Sequence, residues 1–469
     1  MKYSVINKSE CSKYDFGNSL FSPEFFLQDK LTNWQMLVRK SSKTVTDYFS
    51  HITDIREEVN QGIICYDLTD GLPKFFDGGV EINNIDSAKK VAQEGDFLIS
   101  RLRSYLQEMG IVEQHPKEQL FSTEFLVFRQ KTNYISSSTL FALCMTESVQ
   151  TILKRGQYGT EHPRFYDFLL TNLPIPDCLL AVDSVIQETM QEALRIRAIS
   201  RDIYQQAQTV LLSEIGLNNW APKHQTAFIK NYSATKYAER IDAEYYQPKY
   251  DEIIKAVKDY SGGHDMLENL ITIKKCVEPG SDAYLDKGIP FIRVSNLSPF
   301  EITEEKYISA ELYVTINQHQ PGKGEILFSK DATPGIAHYL SEKPQKMIPS
   351  GGILRLTSKT DKVNNEYLTL VLNSVLVKEQ INRDVGGSVI LHWRPDQVEK
   401  TVIPVLPKEK QFEIQQKISE SFRLRKQSKY LLTCAKQAVE MAIGQDEKTA
   451  IEWLENETEE TISTSTLQD

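Results

Sequence analysis

The sequence contains few cysteines, and none of them forms a close pair. Its six cysteines are scattered along 469 residues, with no histidine at the spacing of a metal ligand. Neither a structural zinc site nor a disulfide framework is therefore expected, and a reducing cytoplasm fits. No stretch approaches the roughly 18 consecutive apolar residues of a membrane span, and the N-terminus lacks the apolar region of a signal peptide. We therefore expect a cytoplasmic protein with no membrane partner.

The sequence also lacks the signatures of common catalytic sites. It has no Gly-x-x-x-x-Gly-Lys-Ser/Thr loop and no Gly-x-Gly-x-x-Gly after a strand. The Asn/Asp-Pro-Pro-Tyr/Phe signature of amino-methyltransferases is missing too. Pro395-Asp396 resembles the start of a nuclease motif, but no acidic-x-Lys follows at a usable spacing, so we interpret it as the start of a helical turn. We expect no active site, metal or cofactor on this chain.

Most of the net charge of −10 lies at one end of the chain. Residues 445–469 hold eight acidic residues and one lysine, a net −7, so the rest of the chain carries only −3. This composition predicts a disordered tail. A near-neutral body leaves room for basic grooves, so the overall charge does not exclude a nucleic-acid partner.

An internal repeat is the strongest pattern in the sequence. Gly159, Ile175-Pro176 and Ile215-Gly216 recur 228 positions later as Gly387, Ile403-Pro404 and Ile443-Gly444. Upstream, the segment 95–101 pairs with 324–330 at an offset of 229. We interpret the chain as a tandem duplication of one unit.

Each repeat has two parts. The first, about 160 residues long, mixes short β-branched and aromatic runs with helical stretches at 137–154 and 366–383, which predicts a compact α+β domain. The second has apolar side chains in steps of three and four, without proline, and predicts a long helix that ends at Gly216 or Gly444. The two helices are expected to pair as an antiparallel coiled coil with an internal pseudo-two-fold axis. Four arginines are expected on its solvated face: Arg195, Arg197, Arg423 and Arg425.

The predicted domain plan follows these patterns. It consists of a first α+β domain (1–176), a first long spacer helix (177–216), a linker (217–235), a second α+β domain (236–404), a second long spacer helix (405–444) and an acidic, disordered tail (445–469).

Basic and hydroxyl-bearing loops follow the same strand in both repeats, and a glycine loop with arginine follows later in each. Such loops supply phosphate contacts and base-edge donors. Any single one of these residues could equally be an ordinary solvated loop residue with no contact to DNA. The prediction therefore depends on the occurrence of such loops at the same place in both repeats. The candidate DNA-binding residues are Arg101, Arg103, Ser104, Arg155, Arg164, Arg293, Asn296, Lys330, Thr333, Arg383 and Arg394. Three histidines are also surface or DNA-contact candidates: His162, His338 and His392.

These motifs resemble the specificity subunit of type I restriction–modification systems. Gly-Asp/Glu-x-Leu-x-Ser-Arg/Lys, a glycine loop, Ile-Pro and a long helix occur twice in tandem between about 17 and 444. The first copy departs from the pattern, because Asp177-Cys178-Leu179-Leu180 replaces the usual proline-rich helix entry. The resemblance implies two target-recognition domains, each reading one half of an asymmetric bipartite site in double-stranded DNA, and helices that set the gap between the halves.

The resemblance also implies the partners of the chain. It would be a non-catalytic subunit that directs adenine methylation and restriction by two methyltransferase subunits and motor-nuclease restriction subunits. S-adenosylmethionine would bind the methyltransferases, not this chain. Two alternatives stay open: a specificity subunit of a fused nuclease-methyltransferase system, and a stand-alone nuclease of unrecognised type.

Overall fold

The chain divides into two compact units. The computed structural model describes Cys11, Tyr14, Phe16 and residues 23–59, 62–76, 78–131, 133–385 and 391–466. The first unit comprises Met1–Ala198 with Arg425–Asp469, and the second comprises Ile199–Leu424. Both unit boundaries therefore fall inside long helices.

The first unit mixes short strands with helices. Its α-helices, apart from the long ones, are Gln28–Arg39, Val45–Tyr48, Ser137–Met145, Glu147–Arg155, Asp167–Thr171 and Glu447–Thr466. Its strands are Lys43–Thr44, Phe49–Ile52, Ile55–Arg56, Ile63–Tyr66, Val80–Ile82, Lys89–Val91, Phe97–Ser100, Met109–Ile111, Gln119–Ser122, Phe125–Gln130, Gln157–Tyr158, Arg164–Phe165 and Pro174–Ile175. Short 3-10 turns lie at Pro23–Phe26, Leu68–Gly71 and Ser104–Leu106.

Two sheets form the body of the first unit. The four-stranded antiparallel sheet has the order Phe49–Ile52, Phe125–Gln130, Phe97–Ser100, Met109–Ile111. The five-stranded sheet has the order Ile55–Arg56, Lys89–Val91, Gln119–Ser122, Ile63–Tyr66, Val80–Ile82. All four side chains of Phe97–Ser100 are buried, as expected for a central strand covered on both faces.

The second unit contains a similar set of elements. Its α-helices, apart from the long ones, are Tyr232–Ala238, Pro248–Asp259, Leu267–Leu270, Ala310–Ile316, Asn365–Asn373, Val375–Asp384 and Pro395–Glu399. Its strands are His264–Met266, Ile271–Lys275, Ile289–Ile292, Lys306–Ile308, Ile326–Ser329, Asp331–Ala332, Ala337–Tyr339, Ile348–Pro349, Ile353–Ser358, Leu391–His392 and Val402–Pro404. Short 3-10 turns lie at Glu244–Tyr246, Ser281–Ala283, Val294–Asn296 and Asn317–His319.

The four-stranded sheet of the second unit matches that of the first. Its order is Ile271–Lys275, Ile353–Ser358, Ile326–Ser329, Ala337–Tyr339, again antiparallel. Each strand occupies the place of its counterpart in the first unit's order. A three-stranded sheet of Lys306–Ile308, Ile289–Ile292 and Ile348–Pro349 replaces the five-stranded one. The predicted α+β class is therefore the observed one.

Two predicted helical stretches are each broken into two helices. In the first unit Thr146 separates Ser137–Met145 from Glu147–Arg155, because its hydroxyl caps the second helix by accepting from the Val149 amide at 3.4 Å. In the second unit Ser374 is extended and breaks the helix at the matching place. Pro395–Glu399 is helical, so the interpretation of Pro395-Asp396 as a helical turn is confirmed.

The two long helices are present as predicted, but each starts later than expected. They span Leu179–Glu214 and Lys408–Gly444, 36 and 37 residues, or about 55 Å at 1.5 Å per residue. The first starts after Asp177 because that residue is tied to an earlier turn. Its carboxylate accepts from the Ser42 amide at 3.0 Å and hydroxyl at 2.7 Å.

The long helices pack antiparallel within the second unit. The Ser200 hydroxyl donates to the Ser421 carbonyl at 2.8 Å, and Lys410 Nζ lies 3.2 Å from a carboxylate oxygen of Glu214. Residue numbers therefore increase along one helix in the direction in which they decrease along the other. In the first unit the Ser428 hydroxyl donates to the Ala193 carbonyl at 2.7 Å. This bond repeats the Ser200–Ser421 bond, because Ser428 lies 228 positions after Ser200 and Ser421 lies 228 positions after Ala193.

The expectation of four solvated arginines on the helices is wrong for two of them. Arg197 and Arg425 are each only 8% exposed. The Arg197 guanidinium lies 4.9 Å from the centre of the Phe75 ring, so the buried charge makes a cation–π contact with that ring. Arg195 is exposed and Arg423 partly exposed, and each forms an ion pair within its own helix turn.

The prediction of a disordered acidic tail is also wrong. Residues Glu447–Thr466 form a helix of the first unit, and 467–469 lie outside the described residues. Ala450, Leu454 and Thr461 recur at helical spacing and are at most 8% exposed. Gln427 of the second long helix donates to the Thr461 carbonyl at 3.3 Å. The acidic side chains lie mainly on the exposed face, so composition alone hid an amphipathic helix. Within the described ranges no helix is both long and apolar enough to cross a membrane.

Candidate functional site

Two predicted arginines of the first unit converge on one carboxylate. Arg101 Nε lies 2.9 Å from Glu124 Oε2, and Arg164 Nη2 lies 2.5 Å from Glu124 Oε1. The side chains are 30%, 32% and 19% exposed for Arg101, Arg164 and Glu124. The hydrogen bond from Arg164 lowers the pKa of Glu124, and Arg101 adds to this effect against the opposing effect of burial. We call Arg101, Glu124 and Arg164 the first clamp.

The main chain holds the first clamp in place. The Arg101 amide donates to the Glu124 carbonyl at 3.0 Å, and the Phe165 amide donates to the Arg101 carbonyl at 3.0 Å. The end of the strand Phe97–Ser100 is therefore bonded on one side to the turn that precedes Phe125–Gln130 and on the other to the segment that carries Arg164. This backbone arrangement positions the three charged groups before any ligand arrives.

The second unit builds a similar cluster at its matching strand end. Lys330 Nζ contacts Asp331 Oδ2, and His392 Nδ1 lies 2.9 Å from Asp331 Oδ1. The Lys330 amide donates to the Gly352 carbonyl at 2.9 Å, and the Trp393 amide donates to the Lys330 carbonyl at 2.8 Å. We call Lys330, Asp331 and His392 the second clamp.

Arg103 and Ser104 follow the first clamp along the chain and differ in exposure. Arg103 has a left-handed backbone with φ of 49°, and its Nη2 lies 3.0 Å from Nδ1 of His162. The side chain of Ser104 is buried and accepts a hydrogen bond from Gln157 at 2.5 Å. We therefore withdraw Ser104 as a DNA contact, because its hydroxyl holds the turn together.

Arg293 and Asn296, two of the candidate DNA-binding residues, form a turn of the second unit. Asn296 is only 5% exposed, and its side-chain oxygen accepts from the Arg293 amide at 3.2 Å. Arg293 forms an ion pair with Glu305. Asn296 is therefore also withdrawn, since a capping amide inside a turn does not present its edge to a base.

The other predicted basic residues lie on several elements. Arg155 ends the helix Glu147–Arg155 and lies 2.9 Å from Asp29. Arg383 stacks 4.6 Å over the Tyr245 ring and donates to its hydroxyl at 2.9 Å. Arg394 is the most accessible of the set, with its side chain 68% exposed. Thr333 is also exposed. Gly386, Gly387 and Ser388 of the predicted glycine loop lie outside the described residues.

His338 is half-buried. It lies in the strand Ala337–Tyr339 with Nδ1 3.0 Å from the Ser298 carbonyl oxygen, and burial lowers its pKa. Among the side chains that the structure describes, no group of three or more His, Cys, Asp or Glu residues is placed to hold a metal.

The sequence interpretation missed the two carboxylates at the centres of the clamps. Glu124 lies in a turn between two strands, close in the chain to the buried Phe121 and Phe125, where a charged side chain needs a partner. That signal could have marked Glu124. No such signal marks Asp331, which follows Lys330 directly and resembles an ordinary loop charge.

Comparison with known proteins gives one family match. Residues 266–430 match the model of the type I restriction modification DNA specificity domain. No curated protein matches the chain. The match includes most of the second unit's sheets and the first part of the second long helix.

Three solved structures are similar at low identity. One comes from a study of complex assembly and conformational transition of the type I R-M system, at 16% identity, 88% coverage of this chain, 96% of that chain and a TM-score of 0.28. The HsdS subunit from Thermoanaerobacter tengcongensis is 16% identical, with coverages of 86% and 96% and a TM-score of 0.27. The S subunit of a type I restriction-modification system from M. genitalium is 12% identical, with coverages of 88% and 95% and a TM-score of 0.33.

Proposed function

We propose that the whole chain is the specificity subunit of a type I restriction–modification complex, because residues 266–430 match the model of the type I restriction modification DNA specificity domain. The first and second units each carry one target-recognition head, and each head reads one half of a bipartite, asymmetric DNA site. The family match of residues 266–430 is the observation that carries this proposal.

The first unit lies outside the family match, so its role rests on its likeness to the second. Both units have a four-stranded sheet of the same strand order. In both, the residue after the central strand, Arg101 or Lys330, makes the same two main-chain hydrogen bonds. A shared framework with different side chains is what two readers of different half-sites require.

The chemistry is assigned to partner subunits in the cytoplasm. Two methyltransferase subunits bind S-adenosylmethionine and methylate adenine, and restriction subunits with motor and nuclease activity join the complex. The sequence supports this division of roles, because it lacks the motif with which amino-methyltransferases hold an extruded base. The long helices Leu179–Glu214 and Lys408–Gly444 are the candidate spacer and docking surface.

Methyl transfer with and without the partner tests the proposal. The purified chain and the chain co-purified with its methyltransferase partner are each incubated with labelled S-adenosylmethionine and DNA that carries the target site. We expect methyl transfer only from the complex, and only to a site with two separated halves. Methyl transfer or DNA cleavage by the chain alone would contradict the assignment.

A further inference from the structure

Both clamps place one carboxylate between two basic side chains, but that carboxylate comes from different chain positions. In the first clamp Arg101 Nη1 also lies 3.5 Å from Asp167 Oδ1, a longer contact than its bond to Glu124. The main-chain bonds equate Arg101 with Lys330 and Glu124 with Gly352. His392 lies 228 positions after Arg164, and Asp331 occupies the position of Leu102. The second unit therefore lacks a carboxylate at the position of Glu124 and carries one at the position of Leu102.

The space around Gly352 accounts for this exchange. A Cβ atom at Gly352 would lie 3.4 Å from Asp331 Cβ and 3.0 Å from Val294 Cγ2. A glutamate there would compete with Asp331 for the same volume. Each unit has an acidic residue at only one of the two positions. The first unit has Glu124 and Leu102, and the second has Gly352 and Asp331 at the corresponding places.

The carboxylate occupies the donors that a phosphate would use. In the first clamp Arg164 donates through both Nε and Nη2 to Glu124, and Arg101 donates through Nε. Guanidinium groups bind carboxylates and phosphates with the same fork of N–H donors. A phosphate that approaches this pair therefore meets donors already engaged by an anion.

We propose that Glu124 and Asp331 are specificity-determining carboxylates that limit the binding of each head to non-target DNA. Each carboxylate holds its basic pair until a correctly seated phosphate displaces it. Since phosphate contacts dominate non-specific binding, an anion that competes for them lowers non-target affinity more than target affinity. This inference rests on the proposed function, because it assumes that both heads bind DNA.

The test compares target and non-target duplexes bound by the complete complex at several salt concentrations. Glu124→Gln keeps the shape of the side chain and removes its charge. We expect its affinity for non-target DNA to rise on the order of five- to tenfold, with a salt slope steeper by about one unit, and the target affinity to rise less. The ratio of the two affinities therefore falls.

Glu118→Gln is the matched control in the same unit. Glu118 precedes the strand Gln119–Ser122, at the far end of that strand from Glu124, and pairs with the exposed Arg56 at 3.4 Å. The control removes the same charge, so it separates the clamp from a change in net charge. We expect it to leave the affinity ratio unchanged.

The second head provides an independent test, in which the acidic residue is moved from position 331 to position 352. Asp331→Leu should raise non-target affinity, by a smaller factor than Glu124→Gln because a lysine and a histidine replace two arginines. Adding Gly352→Glu to Asp331→Leu recreates the leucine and glutamate of the first clamp. We expect the double variant to recover the affinity ratio.

Two results would overturn the inference. One is an equal fall in target and non-target affinity for Glu124→Gln, which would mean that the carboxylate only holds the loop. The other is an Asp331→Leu variant with an unchanged ratio, which decides the question even if Glu124→Gln fails to fold. A wild-type complex that binds no DNA would instead contradict the proposed function.

Discussion

An ion pair beside the central strand also differs between the two units, because one of its partners comes from a different chain position in each. In the first unit Asp96 accepts two hydrogen bonds from Arg129, at 2.9 and 2.8 Å. In the second unit Glu325 accepts two from Arg355, at 2.8 and 3.0 Å. The sheet register equates Arg355 with Val127, two residues before Arg129 on the same face of the strand.

The comparison indicates what is shared between the units. Thr357 takes the register position of Arg129 and donates to the same glutamate at 3.2 Å. The backbone framework and the position of the acidic residue are kept. The arginine that pairs with it lies two residues earlier on the strand in the second unit than in the first. Divergence of the heads therefore alters the side chains and leaves the sheet in place.

The largest expected effect comes from breaking the core of one unit only. Trp393 is 1% exposed, and its ring centre lies 5.8 Å from that of Phe328. Trp393→Ala should destabilise the second unit by about 4 kcal/mol, because it leaves a large cavity. Hydrogen exchange measured for both units checks this. Equal loss of protection in the strands Phe97–Ser100 and Ile326–Ser329 would show that the units do not unfold separately.

The relocated ion pair should give the next largest effect. Arg355→Ala leaves Glu325 buried without its main partner and should cost about 3 kcal/mol. Arg129→Ala should cost less, since the Arg129 side chain is 32% exposed and that of Arg355 only 7%. Denaturant unfolding of both variants measures the difference.

A rescue variant sharpens this comparison. Arg355→Val with Thr357→Arg places the arginine where the first unit has it, and it should recover part of the lost stability. If the double variant is less stable than Arg355→Ala, the two strand positions are not interchangeable.

The C-terminal helix is an element of the first unit, and Leu454 anchors it with 1% exposure. Leu454→Ala should loosen the helix by about 2 kcal/mol through the loss of buried methyl groups. Limited proteolysis should then cleave the variant within 447–463 faster than wild type. Glu455→Gln, on the exposed face, is the control. Cleavage of wild type at the variant's rate would contradict the corrected assignment of the tail.

The smallest expected effect is the acid sensitivity of the first clamp. The pKa of Glu124 in the folded chain lies below its ordinary value of 4.5, chiefly because of Arg164. Its contribution to stability is therefore present above pH 4.5 and is lost as the pH falls through the folded value. Glu124→Gln should therefore lose less stability than wild type as the pH falls from 4.5 through the folded pKa of Glu124. Parallel acid-unfolding curves for the two proteins would contradict this.

The sequence was sufficient for the long helices and for the central strand of each four-stranded sheet. The apolar stripe with no interior proline or glycine predicts a helix over 177–216, close to the observed Leu179–Glu214, because both features are local in the chain. The recurrence of the segment 95–101 at 324–330 locates the central strand of each sheet. These properties repeat over short distances, so a single sequence reveals them.

The clamps could not be predicted in the same way. Arg101 and Glu124 are 23 residues apart, and Arg164 is 40 residues from Glu124, so only the folded sheet brings them together. The prediction of a disordered acidic tail was wrong for another reason. Its mean composition resembles that of a disordered segment, while Ala450 and Leu454 follow the helical period.

Replacement of one head tests the central claim most directly. The chain carries a relative's domain in place of 236–404 and is expressed with its methyltransferase partner, and the methylated sites of the host DNA are mapped. We expect one half of the bipartite site to change and the other half to stay as in wild type. A change in both halves, or in neither, would contradict the account of two heads that read DNA independently.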